Sequence, residues 1–418
     1  MRRALLAALT TSALALTAAA VAVPAQAVPA PTTGGPISPA AYGMHVPQIS
    51  QGADPTITYG ALRLWDSGVA WGQVEQSKGN YWWTGLDLAI GNANTQQAAV
   101  TYVLGSTPTW AASDKKQGTY PYKGAASMPK SMKDWKSWVT AVTQRYADSI
   151  DSYQIWNEAN LTTFWMGTPK QMAQLTSEAA KIIRKNDPTA KIVSASSTVR
   201  LQSAYKKFFP SYLKELKKVG WPIDAVSVHL YPASTGTPAD RAAYIEQVKA
   251  DMKKAKVPAS KELWDTEINY GIAGPGSKYP DQNINDPQKA AAWVAQTYLD
   301  NLRLGVNRAY WYLWAPNVPL VGIQMSPGTP GSIAYQAVEN WTVGKYFNCS
   351  SGAVNVCQFG NAAEPQSVAW ASSGSGTFTV PANVTRSCDA LNACVPATPG
   401  TQVTIGSMPQ WFGTATAF

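Results

Sequence analysis

The sequence predicts an α/β fold: a (β/α)8 TIM barrel with a small C-terminal antiparallel β domain. Short β-branched and aromatic runs alternate with amphipathic helical stretches eight times over roughly 300 residues, the mark of repeated βαβ units. Polar residues interrupt the apolar runs near their C-terminal ends, where a parallel barrel gathers its loops around one axis. After about Gly344 the texture changes. Ser, Gly, Thr and Val dominate, helical periodicity stops, and all four cysteines appear.

The chain opens with Arg2 and Arg3, an apolar run Ala4–Val23, and the small-residue end Ala25-Gln26-Ala27. This layout predicts an export signal over residues 1–27, cleaved after Ala27; a membrane anchor is the alternative that its length allows. Residues 28–40, rich in Pro, Thr and Gly, read as a flexible leader. Residues 41–343 form the barrel. Its strands are expected near Tyr42–Val46, Leu62–Trp65, Ala98–Leu104, Tyr153–Trp156, Ile192–Ala195, Ala225–His229, Glu262–Asp265 and Arg308–Leu313.

The helices carry their own punctuation. Thr168-Pro169-Lys170-Gln171 is a capping box with proline at the first helical position, followed by Met172, Leu175, Ala179 and Ile182 at helical spacing. That helix must stop before Asp187-Pro188. Ser131–Asp134 is a similar start and leads into Trp135, Trp138, Val142 and Tyr146, read as core-facing. Further helices are expected from about Asp240 to Lys256 and from Pro287 to Leu304.

Residues 344–418 read as a β domain with short alternating runs at Ser367–Ala371, Thr377–Val380 and Gln402–Ile405. Cys349, Cys357, Cys388 and Cys394 permit three disulfide connectivities, and an exported chain favours oxidation. Local pairing, 349–357 and 388–394, is preferred because each bond would close a short hairpin-like loop. The domain reads as a structural cap on the barrel rather than a glycan-binding module, since no row of exposed aromatics is visible in it. Trp411-Phe412 is expected to pack inward.

The formal net charge is +9, but the lysines concentrate on helical stretches such as Lys206–Lys218 and Lys249–Lys256, which read as solvated faces. No nucleic-acid motif or basic-aromatic interleaving is present. No second apolar run is long enough to span a bilayer, so no membrane association is expected once the signal is removed. No metal cluster, phosphate-binding glycine loop or nucleophile elbow appears, and no cofactor is implied.

Chemistry concentrates in two stretches. Ser152–Asn160 (SYQIWNEAN) is a β-type run that breaks into Asn157-Glu158, and Glu262–Tyr270 (ELWDTEINY) carries Glu267. Two carboxylates near strand ends are what glycosidic bond cleavage needs, one as acid and one as nucleophile or base. Asp265 competes with Glu267, because strand alternation cannot reject it. Strand two adds Arg63, strand six His229 and Tyr231, strand eight Trp314, and His45 closes strand one. The chain has two histidines, and both fall at such positions. Asp66 and Glu75 read as serving the strand-two loop. Among seventeen tryptophans, Trp314, Trp110 and Trp165 are the candidates for stacking on sugar rings, with Trp71 and Trp311 also in or near strand-end loops.

With these residues the chain resembles the clan A glycoside hydrolases, and within them family 39, in particular its bacterial exopolysaccharide-cleaving branch, on account of the small C-terminal β domain. Family 5 typically has a histidine at the strand-three end, where this chain has Gly105–Trp110 (GSTPTW). The resemblance covers about Tyr42 to Phe412. It implies that Glu158 is the general acid/base and Glu267 the nucleophile of a retaining double displacement, with the carboxyls about 5–5.5 Å apart. Arg63 and Tyr231 would favour the ionised nucleophile, and Asn157 would donate to the substrate 2-hydroxyl.

The function expected is a secreted, monomeric retaining glycoside hydrolase acting on a plant or microbial polysaccharide or oligosaccharide. The alternative is a non-catalytic glycan-binding or cell-wall protein on the same barrel. Loops Thr107–Met132 and Ala273–Asp286 would decide whether attack is endo or exo; the sugar is not legible.

Overall fold

The computed structural model describes residues 35–273, 284–360 and 365–414. The expected signal (1–27), most of the leader and the greater part of the Ala273–Asp286 loop lie outside the described residues.

Eight parallel strands close the barrel: β1 (Tyr42–Met44), β2 (Ala61–Leu64), β3 (Ala99–Val103), β4 (Ser152–Gln154), β5 (Lys191–Val193), β6 (Ala225–His229), β7 (Glu262–Ile268) and β8 (Arg308–Trp311), with β8 paired back to β1. All eight expected strands are present. Most end a residue or two earlier than the apolar runs suggest, because the last apolar residues already belong to the strand-end loops. β7 is the exception: it runs past Asp265, so Glu267 lies within the strand rather than after it.

Seven long helices wrap the outside: α1 (Thr84–Thr95), α2 (Met132–Arg145), α3 (Pro169–Asn186), α4 (Gln202–Lys218), α5 (Pro238–Ala255), α6 (Pro287–Leu304) and α7 (Pro330–Thr342). Between β1 and β2 stands only a 3-10 turn, Ile49–Gln51. Pro47, Gly52 and Pro55 punctuate that connection too densely for a longer helix. Four helices begin with Thr or Asp as the cap and Pro at the first position, namely α3, α5, α6 and α7. The caps satisfy amide groups the helix itself cannot, and proline there sacrifices no bond. On α3 the buried stripe is Met172, Leu175, Ala179 and Ile183; Ile182 is half-buried. Trp135 and Trp138 on α2 are fully buried, and the lysines of α4 face solvent.

The barrel interior is layered. At the bottom, Ala61, Val193, Ala225, Trp264 and Tyr310 pack together, and a Cβ on Gly43 would sit 2.4 Å from the Tyr310 ring, so only glycine lets that ring fill the bore. Two residues further along the strands the layer turns polar. Gln154 donates to Ser227 Oγ, which lies 2.7 Å from Thr266 Oγ1, and Arg63 Nε donates to Gln154. Side chains two apart share a face of a strand, so the same strands carry an apolar plug and, above it, a polar platform.

The C-terminal region forms a six-stranded antiparallel sheet with an additional two-stranded ribbon. Cys349 is bonded to Cys357 and Cys388 to Cys394, each pair directly opposite across adjacent strands. Trp370, Trp411 and Val368 join the barrel's own hydrophobic cluster, and Arg303 of α6 donates to Ser351. Trp411 and Phe412 are buried, and among the described residues of this sheet the exposed large apolar side chains are Tyr346, at its entrance, and Val395.

Candidate active site

Arg63 is the keystone of the barrel mouth. It is fully buried, and its three nitrogens reach four neighbours: Nε donates to Gln154, Nη1 to Glu267 Oε1 and Nη2 to Asn157 Oδ1, each at 2.7 Å, and Nη1 also lies 3.3 Å from His45 Nε2. A planar guanidinium fixes all three directions at once, which a lysine cannot do. Expected as a substrate-site residue, Arg63 is instead wholly committed to protein groups.

Glu267 owes its orientation to a bulge. Along β7, Val228 pairs with Asp265 but His229 pairs with Glu267, and the β8 side shows the same slip between Asp265 and Ile268. Without the slip Asp265 and Glu267 would share a face. With it, Thr266 joins the inner polar layer, Glu267 turns into the mouth, and Asp265 points outward to Arg241, whose Nη2 donates to Asp265 Oδ2 at 2.7 Å and to Asn301 Oδ1 at 2.6 Å. Asp265 is thereby excluded from the cleft.

Glu158 follows β4 and has φ 36°, a left-handed value that few side-chain-bearing residues adopt. Its amide donates to Ser196 Oγ, and the paired bonds of Asn160 with the Thr198 backbone tie the β4 and β5 loops together. Glu158 Oε1 lies 3.0 Å and Glu267 Oε2 3.2 Å from the same atom, His229 Nδ1. One ligand atom from each of the three residues falls within 4.8 Å of the others. Tyr231 donates to Glu267 Oε2 at 3.0 Å. A cation could be ringed by these three donors, but Arg63 already holds the Glu267 carboxylate and would repel it.

The electrostatics separate the two acids. Burial pushes Glu158 up to about 7, against the pull of Arg200 and Arg63. Burial also raises Glu267, while His229 and the Arg63 ion pair oppose that rise. His229 is depressed to about 3 by burial, so its ring is neutral and Nδ1 either donates to Glu267 or accepts the Glu158 proton.

The remaining expected residues divide. Trp314 closes β8 with its amide on His45 O and is almost fully buried. His45 is fully buried and driven well below the usual histidine range, chiefly by burial; its Nε2 lies 3.0 Å from Thr266 O, a supporting contact beside the bulge rather than an open one. Trp165 is no stacking platform. It is 2% exposed and packs edge-on against Trp156 in the core. Trp110 is half-buried against Trp71, with its indole N–H on Glu75 O. Trp71 and Trp311 are fully buried.

The aromatic wall stands elsewhere. Trp65, Tyr120 and Phe164, from the loops after β2, β3 and β4, meet with ring centroids 5.9–6.5 Å apart. Asp66 sits beside them and takes the hydroxyls of Tyr120 and Tyr312. Glu75 is structural as expected, bonded to Trp71 and Gly79. The sequence signal for Trp65 and Asp66 was their place just after β2, the rule that found Glu158.

A closed eight-stranded barrel with two carboxylates this close at its C-terminal mouth is the architecture of the retaining glycoside hydrolases. Comparison with known families makes this specific. The chain belongs to the glycosyl hydrolases family 39, a retaining family, whose model matches residues 66–315. Among solved structures it is similar to a family 39 glycoside hydrolase from Bacteroides cellulosilyticus WH2, with TM-score 0.64 and 18% identity over 85% of this chain and 75% of that one. A family 39 enzyme from Xanthomonas axonopodis pv. citri gives TM-score 0.62 at 16% identity over 91% and 95%. A glucosidase from Croceicoccus marinus gives 0.63 at 13% over 92% and 97%. At these identities the likeness bears on the fold. No curated protein sequence matches the chain.

Proposed function

We propose that this chain is a secreted enzyme that cleaves O-glycosidic bonds of a plant or microbial polysaccharide or oligosaccharide by double displacement, with Glu158 as acid/base and Glu267 as nucleophile. The observation that carries the reading is the inequality of two neighbouring carboxylates: Glu267 is paired to Arg63 at 2.7 Å, and Glu158, raised to about 7, holds a proton near neutrality. One oxygen of each lies within 4.8 Å of the other, a closeness that favours direct attack over the wider spacing of an inverting pair.

In the first step Glu158 gives its proton to the glycosidic oxygen while Glu267 bonds to the anomeric carbon, and the aglycone leaves as an alcohol. In the second, Glu158, now ionised, takes a proton from water, whose oxygen displaces Glu267 and restores both groups. Asn157, with its carbonyl pinned by Arg63, offers its Nδ2 group to the sugar 2-hydroxyl. Tyr231 keeps Oε2 of the nucleophile oriented. The enzyme works as a monomer after loss of residues 1–27.

The test is turnover of aryl glycosides and polysaccharides by wild type, Glu158→Gln and Glu267→Gln. Both variants should lose activity by several orders of magnitude while still binding sugar. A variant as active as wild type sinks that residue's role. Sugar binding without turnover in the wild type would mark a binding protein instead.

A further inference from the structure

Asp66 is a third carboxylate at the barrel mouth, and the loop chemistry alone does not account for it. It follows β2 by two residues with φ 61°, a left-handed backbone without glycine's freedom. Tyr312 OH, from the end of β8, donates to Oδ2 at 2.7 Å, and Tyr120 OH, from the loop after β3, donates to Oδ1. Three strand-end loops therefore converge on one carboxylate. Tyr120 is 44% exposed, and water could satisfy its hydroxyl without the contact. A carboxylate offers about four acceptor positions, so two tyrosines leave acceptors on both oxygens. Buried Trp65 and half-buried Phe164 back the exposed Tyr120 ring alongside.

The position relative to the two glutamates sets which part of a glycan lies here. Around the barrel the order is β7, β8, β1, β2. Glu267 stands on β7, and Asp66 is anchored by Tyr312 from β8. Glu158 is held from the other side by Ser196 and the β5 loop. A leaving oxygen must reach Glu158, so the ring attacked by Glu267 lies toward β8, β1 and β2.

We propose that Asp66 is a glycone-binding residue: its carboxylate accepts hydroxyls of the sugar that packs against the exposed Tyr120 ring, and its charge disfavours a sugar with a carboxylate of its own. The inference rests on the Glu158/Glu267 reading of the site. Arg63, the cation on Glu267, is already engaged by Glu267, Asn157 and Gln154. Arg200 donates to Ala273 O and belongs with Glu158. Both histidines are neutral. A uronate ring would bring a further negative charge beside Asp66 and Glu267, whereas a ring bearing only hydroxyls donates to both.

The experiment compares the full-length enzyme with Asp66→Asn and Tyr120→Phe. Substrates are 4-nitrophenyl β-D-xyloside, glucoside, galactoside, mannoside and glucuronide, with xylan, β-glucan and galactomannan set against alginate and polygalacturonate. We expect turnover confined to neutral substrates, and a loss of roughly 10- to 100-fold in kcat/KM for Asp66→Asn on aryl glycosides and polymers alike. Product stereochemistry should be unchanged. Aryl glycosides are decisive because their only sugar is the glycone. A loss confined to polymers, activity within threefold of wild type, preference for glucuronide or polyuronides, or no turnover of any neutral substrate overturns the proposal. If Asp66→Asn does not fold, Tyr120→Phe decides: KM on the same aryl glycosides should rise severalfold, and an unchanged KM overturns it. Activity surviving in Glu267→Ala would sink the underlying mechanism instead, so the two failures are distinguishable.

Discussion

Arg63 Nη1 lies 2.7 Å from Glu267 Oε1 with both side chains buried, and among the described residues Glu158 has no arginine or lysine at ion-pair distance. In the proposed mechanism that asymmetry suits Glu267 to attack and Glu158 to carry a proton. Because Arg63 also pins Asn157 and Gln154, removing it disturbs chemistry and fold together. Arg63→Ala should lower stability by about 3–5 kcal/mol, leaving a buried carboxylate unpaired. Arg63→Lys, which keeps the charge but not the fork, should fold better and still lose at least tenfold in kcat/KM. Urea unfolding alongside steady-state kinetics checks both; wild-type kcat/KM in Arg63→Lys would contradict the positioning role.

In the proposed mechanism Glu158, pushed up to about 7 by burial, should set the alkaline limb of activity. Bond cleavage needs its proton, so kcat/KM should fall as pH rises through that value. The acid limb belongs to protonation of Glu267, itself raised by burial. Profiles of kcat/KM against pH on an activated aryl glycoside, whose leaving group needs little protonation, should lose the alkaline limb in Glu158→Gln. An alkaline limb persisting near the same pH assigns it to another group.

The same raised value is a stability liability. A carboxyl whose folded pKa exceeds its unfolded value stabilises the fold while protonated in both states, and that contribution disappears as pH rises through the folded pKa. The rise from 4.5 to about 7 corresponds to a penalty on the order of 3 kcal/mol above neutrality. Glu158→Gln, which cannot ionise, should therefore melt close to wild type at pH 4 and above it at pH 8. Equal melting temperatures at both pH values would show that Glu158 ionises without strain.

Asp265 separates structural from chemical acid. Its carboxylate is buried against Arg241 and also accepts the Leu230 amide. Asp265→Asn should cost roughly 3–5 kcal/mol in stability by leaving Arg241 unpaired, while the folded fraction keeps the product anomer of wild type. Loss of chemistry in well-folded Asp265→Asn would instead place Asp265 in the reaction.

The barrel was legible because its strands are buried on both faces and read as short apolar runs, each ended by a polar residue with work to do at the rim. Asn157-Glu158, Glu267, Arg63, His229 and Tyr231 announced themselves that way, and the structure brings them together. The bulge at Thr266 did not, since a one-residue slip leaves alternation unchanged in sequence and only pairing with β6 and β8 reveals it. Nor did the Asp66 contacts with Tyr120 and Tyr312, which span 54 and 246 residues. Tryptophan was a poor guide, because in this chain most of these rings fill the core: Trp165 packs edge-on against Trp156, and Trp65 behind Tyr120 is buried too. The missing first helix follows from Pro47, Gly52 and Pro55, whose density weakens any helix there.

The central claim is a covalent step at Glu267. Its most direct test is proton NMR of the first product released from a hydrolysed aryl glycoside by wild type, with Glu267→Ala in parallel. Retention of the anomeric configuration, with hydrolysis abolished in the variant, is the result this account requires. Inversion in the wild type, or equal activity in Glu267→Ala, would contradict it.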